Sequence, residues 1–243
     1  MIINLNGCEN YDGQYVIIFT KSFYQLLLGS PSVRRVGLGR QRYQCGEGIV
    51  VKLREHGITL PGKQVVLRPM TEEDWDVLLK WNSDPEVLYF SEGDDVSSYS
   101  LDQIQKIYRG VSQHAFCFVI EYDGSPVGEC WLQAMNLERI LRKYPGYDCR
   151  RIDLMIGEKA LWGQGLSTEV VRLLSAFAFE EECADLVFGC DVADYNPASL
   201  KVFQKAGYAV DAQREQPVGK KARYCYDLVL TREGYAVTRE ESA

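Results

Sequence analysis

A chain of 243 residues that is 46% apolar and 25% charged holds enough hydrophobic side chains for a full core, which excludes global disorder. Its net charge of −7 offers no cationic field to a phosphate backbone, so no nucleic-acid partner is expected. Eight cysteines without a Cys-x-x-Cys pair, and only two histidines (His56 and His114), exclude a disulfide framework and leave no metal site to expect.

The first 62 residues do not resemble the rest. Residues 14–20 (QYVIIFT) read as a strand and 21–28 as a short helix, before a Gly/Arg-rich stretch from Gly29 to Gly48. The expected division is an N-terminal extension or accessory subdomain over 1–62, a main domain over 63–235, and a polar tail over 236–243. Pro61-Gly62 marks the turn into the main domain. Val65–Met70 is a strand, and Thr71–Asp74 is a capping-box start to a helix reaching Trp81. Trp75 and Trp81 fall at near-helical spacing, as core residues do. Asp84-Pro85 opens a short helical turn, residues 91–98 form an acidic loop, and Ser100–Gln103 caps a second helix. Residues 115–122 and 127–133 make a hairpin across Asp123-Gly124, and 136–144 is helical up to Pro145-Gly146.

Arg151–Gly157 follows as an almost wholly apolar strand, which suits a central position, yet it carries Asp153. Gly163 and Gly165 then form a turn at the start of a helix whose Leu166, Val170, Leu173, Leu174 and Phe177 share one face. Glycines there let the backbone approach a ligand, and the helix start offers N–H groups to an anion. A second strand ends near Asp191, Asn196-Pro197 starts another helix that Gly207 stops, and residues 224–231 form a closing strand. The order is two helices, an antiparallel hairpin, βαβα and a last strand: an α/β (α+β) class domain. Its two-glycine turn is built to hold a phosphorylated cofactor, so an enzyme is expected. No segment reaches the roughly 20 apolar residues of a membrane span. The N-terminus lacks the pattern of a signal peptide. With reduced, buried thiols, a cytoplasmic location without a membrane partner is expected.

Leu67-Arg68-Pro69, the GQGLST turn at residues 163–168 and NPASLKVFQKAGY at 196–208 resemble the GNAT N-acetyltransferase superfamily. Asp84-Pro85-Glu86-Val87, Ser125-Pro126-Val127-Gly128, residues 152–157 (IDLMIG) and Lys205-Ala206-Gly207-Tyr208 are similar to the branch of aminoglycoside 6'-N-acetyltransferases and ribosomal-protein acetyltransferases. The resemblance covers about two-thirds of the chain, residues 64–231. It implies a mixed, mostly antiparallel central sheet with two splayed central strands and flanking helices. Acetyl-CoA is the implied cofactor, its pantetheine against Leu154, Met155 and Ile156. Its pyrophosphate is implied to rest on Trp162, Gly163, Gln164, Gly165, Leu166, Ser167 and Thr168, with Asn196 and Ser199 on the thiol side. Trp162 and Ser167 depart from the usual family pattern at this turn.

The implied reaction acetylates a primary amine of a small molecule, in a monomer or homodimer. A protein N-terminus or lysine is the alternative acceptor, and a catalytically silent acyl-CoA-binding module is the rival. An alkylammonium must lose its proton to attack a thioester, at roughly 4–5 kcal/mol at pH 7 for a pKa near 10.4. A base is therefore needed. By resemblance Asp153 serves as that base, through water, and Asp191 holds the substrate. The competing readings are a carboxylate paired with Arg151 and a strand-end cap, respectively. Backbone N–H groups near Met155 are expected to polarise the thioester carbonyl. Phe203 stands where relatives carry a tyrosine that protonates the departing thiolate. Either the thiolate leaves unprotonated, or Ser199 or water donates, or no turnover occurs. Asn196 and Ser199 also read as ordinary helix capping. Glu92, Asp94 and Asp95 border the acceptor site by resemblance and otherwise read as a solvated loop.

Overall fold

A computed structural model describes residues 51–92 and 96–240; the strand and helix expected within 14–28, and Asp94 and Asp95, lie outside them. Eight strands form one sheet: β1 (Leu60–Pro61), β2 (Val65–Pro69), β3 (Ala115–Tyr122), β4 (Ser125–Ala134), β5 (Cys149–Ile156), β6 (Leu186–Ala193), β7 (Ala209–Glu215) and β8 (Tyr224–Thr231). Their order is β1-β2-β3-β4-β5-β6-β8-β7. All neighbours are antiparallel except β5 and β6. The helices are α1 (Trp75–Trp81), α2 (Pro85–Ser91), α3 (Leu101–Ser112), α4 (Glu138–Lys143), α5 (Leu166–Glu180), α6 (Pro197–Lys205) and α7 (Arg232–Glu240).

Period-two alternation along β5 assigns the helices to faces. Ile152 and Ile156 join the core formed with Leu166, Val170, Leu174 and Phe177 of α5. Met155 points the other way, into the core formed with Leu78 and Trp81 of α1 and Ile104 and Ile107 of α3. The sheet is therefore sandwiched, with α5 behind and α1 and α3 in front. The expected caps form: Thr71 with Asp74, Ser100 with Gln103, Asp84 ahead of Pro85, and Asn196 ahead of Pro197.

Two elements escaped the sequence reading: the edge strand β7, and α7, which carries residues 236–240 on from the closing strand. At the other end β1 pairs with β2, and Leu53 is buried in the front core, so packed structure extends ahead of residue 63. Glu72 ties this stretch down by accepting from Leu53 N (2.8 Å) and from Arg109 Nη2 (2.6 Å). The Arg109 guanidinium, chiefly, holds the Glu72 carboxyl down from 4.5 to about 2. A carboxyl depressed on folding contributes stability that is present above its unfolded value and lost as pH falls through its folded one. The melting-temperature gap between wild type and Glu72→Gln should therefore stay constant above about pH 5 and close towards pH 2, as scanning calorimetry would show. The group is partly exposed, so the gap is modest.

Candidate active site

The site begins where two strands part. β5 and β6 pair only over Cys149–Arg151 with Leu186–Phe188. Further along, β6 slips register against β8 between Gly189 and Val192, and within that bulge Asp191 adopts φ 58°. A bulge bends and twists its strand, which carries the end of β6 away from β5. β5 itself stays bonded to β4 throughout.

That ladder decides which backbone groups face the gap. Met135 N donates to Cys149 O and Gly157 N to Val127 O, so in an antiparallel ladder the odd-numbered residues of β5 bond to β4. Leu154 and Ile156 point their N–H and C=O groups the other way, into the gap. Met155 itself lines the cleft with its side chain, while its N–H belongs to the β4 ladder. The N–H groups aimed at the gap are those of Leu154 and Ile156. Trp162 Nε1 already donates to Ile156 O at 2.8 Å.

The gap opens into a cleft of about 380 Å³. Leu154, Met155, Ile156, Trp162, Gly163, Gly165, Leu166, Ser167, Thr168, Asn196 and Ser199 all line it. Of the expected cofactor contacts only Gln164 does not; its side chain turns back to Ala160 O at 3.0 Å. Gly163 and Gly165 have φ of 79° and 89°, in the left-handed region that favours glycine. Gly165 is the N-cap of α5 and supplies no side-chain acceptor; Thr168 N donates to Gly165 O at 3.0 Å, and the amides of Leu166 and Ser167 at the start of this 15-residue helix are left to a ligand. The sequence reading missed Val87, Phe90 and Ser91 of α2, and Lys201 and Lys205 of α6. The two lysines were findable, because spacing of i, i+4 puts both on one face of the helix that Asn196-Pro197 announces. An open strand edge, a helix start and two ammonium groups around one cleft suit a phosphorylated thioester carrier.

Asn196 caps α6, with Oδ1 accepting from Ser199 N at 3.1 Å, and its Nδ2 donates to Phe90 O at 3.3 Å. Ser199 is half-buried at the cleft. Phe203 is buried with its ring across Gly189, where a Cβ would come within 2.5 Å of it.

The two candidate aspartates do not line this cleft. Asp153 lies in a buried ion pair. Arg151 donates from Nη2 to Oδ1 at 2.6 Å and from Nε to Oδ2 at 2.9 Å, and Trp131 Nε1 donates to Oδ2 at 2.9 Å. Arg151 is wholly buried; burial, the largest single influence, pulls its pKa down, but the charge and hydrogen bonds of Asp153 together with Cys190 carry the net direction upward. Asp191 is buried against Arg139 Nη2 (2.6 Å) and Arg214, and its own N–H donates to Asp227 Oδ1 at 2.8 Å. Asp227 in turn accepts two bonds from Arg139 at 3.0 Å. Three arginines thus balance three aspartates along the fork. Burial pushes the Cys190 thiol, beside Arg151, up to about 12 and that of Cys225 up to about 11, which leaves neither as a thiolate nucleophile. Glu92 is buried at the end of α2 rather than solvated. Among the described residues no group of three or more His, Cys, Asp or Glu is placed to hold a metal ion, and no helix is long and apolar enough to cross a membrane.

Residues 64–209 match the family of the Acetyltransferase (GNAT) domain. Among solved structures, the fold is similar to aminoglycoside acetyltransferase AAC(6')-Ib in complex with coenzyme A and kanamycin. The TM-score is 0.60 at 22% identity, over 72% of this chain and 99% of that one. Mycobacterium smegmatis RimJ in complex with CoA-disulfide gives a TM-score of 0.62 at 16% identity, covering 76% and 95% of the two chains. Spermidine N-acetyltransferase from Vibrio cholerae, with CoA and spermine, gives 0.59 at 14% identity, covering 71% and 98%.

Proposed function

The chain belongs to the GNAT acetyltransferase family and is an acetyl-CoA-dependent N-acetyltransferase; from that premise we propose that it acetylates a primary amine of a small aminoglycoside- or polyamine-like molecule, directly, in a ternary complex. The observation that carries the reading is the fork: the gap-facing edge of Leu154 and Ile156 stands beside the uncapped start of α5. Bound acetyl-CoA supplies a thioester carbonyl for the amine to attack. The Leu166 and Ser167 amides at the start of α5, with Lys201 and Lys205, hold the carrier's negative charge. Leu154 and Ile156 N–H orient its acyl arm against β5. The absence of a thiolate at Cys190 and Cys225 favours direct transfer over a covalent acyl-enzyme.

Asp153 is held by three N–H donors, which leave one lone pair on Oδ1 beyond Arg151. The ammonium proton reaches that lone pair through water. Asp153 is buried and does not line the cleft, which favours a water relay over direct contact with the amine. Ser199 Oγ, on the cleft wall, donates its proton to the leaving sulfur and takes up the remaining ammonium proton from the nitrogen of the tetrahedral intermediate, a task that Phe203 lacks the hydroxyl to perform. The aminoglycoside and spermidine acetyltransferases among the structural neighbours support the acceptor class.

Thiol release from acetyl-CoA, screened in parallel over aminoglycosides, polyamines and short peptides, tests the reading. The expected result is release with a small amine, matched by amide product in mass spectra. Ser199→Ala should then lower kcat about tenfold or more with little change in acetyl-CoA affinity. Turnover confined to peptides would replace the small molecule with a polypeptide end. Calorimetric binding of acetyl-CoA with no thiol release from any amine would make the protein a silent binder.

A further inference from the structure

A cation bridges the rim of the cleft. Lys221, in the turn between β7 and β8, sets its ammonium between the rings of Tyr89 in α2 and Tyr195 just ahead of α6. The nitrogen is 3.7 Å from the Tyr195 centroid and nearer still to that of Tyr89. Its Nζ also donates to Tyr89 O at 3.4 Å. The two rings lie 5.8 Å apart and are tilted by 48°, forming a wedge. Their chain neighbours Phe90 and Asn196 both line the cleft and are bonded to each other, so this wedge stands at the cleft's own mouth.

Two aromatic faces around one nitrogen form a site for an alkylammonium, because the ring quadrupole attracts a cation whether or not it carries N–H groups. The side chain that fills the wedge comes from a loop. Lys221 sits on a four-carbon stem two residues after Gly219, whose φ of 94° marks a tight turn. An ammonium brought in by a loop can give way to an ammonium of the same size and charge on a ligand. We propose that Tyr89 and Tyr195 form a cation subsite of the acceptor pocket, which Lys221 fills in the free protein. The ligand class is an amine with a second, non-reacting ammonium, a diamine or polyamine. This deepens the amine-acceptor reading and rests on it. Lys221 then acts as an internal competitor: a ligand without a second charge cannot displace it, and one that has a second charge binds with its affinity reduced by the fraction of molecules in which Lys221 is seated.

Tetramethylammonium probes the subsite without chemistry, since it cannot be acetylated. In calorimetric titration of the full chain, Lys221→Gln should bind it about tenfold more tightly than wild type, the scale of a desolvated cation–π contact. Adding Tyr89→Leu and Tyr195→Leu should abolish that gain, and Tyr89→Phe, which keeps the ring face, should retain it. With acetyl-CoA present, the ratio of KM for spermidine to KM for butylamine should fall about tenfold in Lys221→Gln. Equal tetramethylammonium binding in wild type and Lys221→Gln overturns the proposal, as does a gain that survives loss of both rings. If no amine is turned over, the acceptor reading fails, while the titration still decides the subsite. Melting curves of each variant confirm that these partly exposed positions leave the fold intact.

Discussion

Asp153→Asn should cost about 3–5 kcal/mol of stability, because it strips the counter-charge from Arg151, an arginine with no solvent exposure. For a domain of this size that is a fall in melting temperature of roughly 10 °C or more. Turnover will drop as well, so the single variant cannot separate catalysis from folding. The double variant Arg151→Met, Asp153→Leu does separate them. Replacing a buried ion pair by apolar side chains of similar volume is often neutral, so most of the melting temperature should return. The remaining deficit is the loss of the Trp131 bond to Asp153 and of the Arg151 bond to Asn136 Oδ1, about 1–3 kcal/mol. If the proton leaves by way of Asp153, turnover of the refolded double variant stays down by about 100-fold. Full recovery of turnover would reduce Asp153 to a structural partner of Arg151.

Gly128→Ala should cost about 3 kcal/mol, at the upper end of overpacking effects. A Cβ on Gly128 overlaps the Met155 carbonyl oxygen and lies 3.0 Å from Ile156 Cα. Both neighbours are backbone, so no side chain can swing aside. Strand β4 would have to move off β5 at the level where Leu154 and Ile156 face the fork. Acetyl-CoA affinity should therefore fall together with stability, by about tenfold in calorimetric titration. Gly57→Ala is the control: nothing lies within 4 Å of the added methyl, and stability should stay within about 0.5 kcal/mol of wild type. A Gly128→Ala protein of wild-type melting temperature would show that β4 has slack at this position.

Much of this architecture is written locally. Ser100 with Gln103 and Asn196 with Pro197 announce helix starts through bonds spanning two or three residues. The turn at Gly163 and Gly165 is legible for the same reason, since positive φ leaves a glycine signature. β7 was not legible: as an edge strand it is mostly exposed, and AVDAQRE carries no sustained alternation. α7 is largely polar and follows a strand without a turn signal between them. The site divides along the same line. The residues that the strand–turn–helix brings to the cleft wall were legible for the same reason. The fate of the two aspartates was not fixed by local pattern. Arg151 sits two residues from Asp153 and was nameable as a partner, but Arg139 and Arg214 reach Asp191 only through the folded sheet. No spacing rule joins positions so far apart.

Trp162 narrows what evolution can do at the head of the glycine turn. Its indole N–H is spent on Ile156 O, its ring meets Phe90 edge-on at 5.6 Å, and it packs against both the front and the back core. An arginine there would gain a guanidinium for a phosphate and lose the strut between the two halves of the protein. Drift at this position is thus boxed in by two obligations that no smaller side chain meets together. On the proposed reading, a diphosphate at this turn is then held by main-chain amides and by the lysines of the neighbouring helix rather than by this side chain.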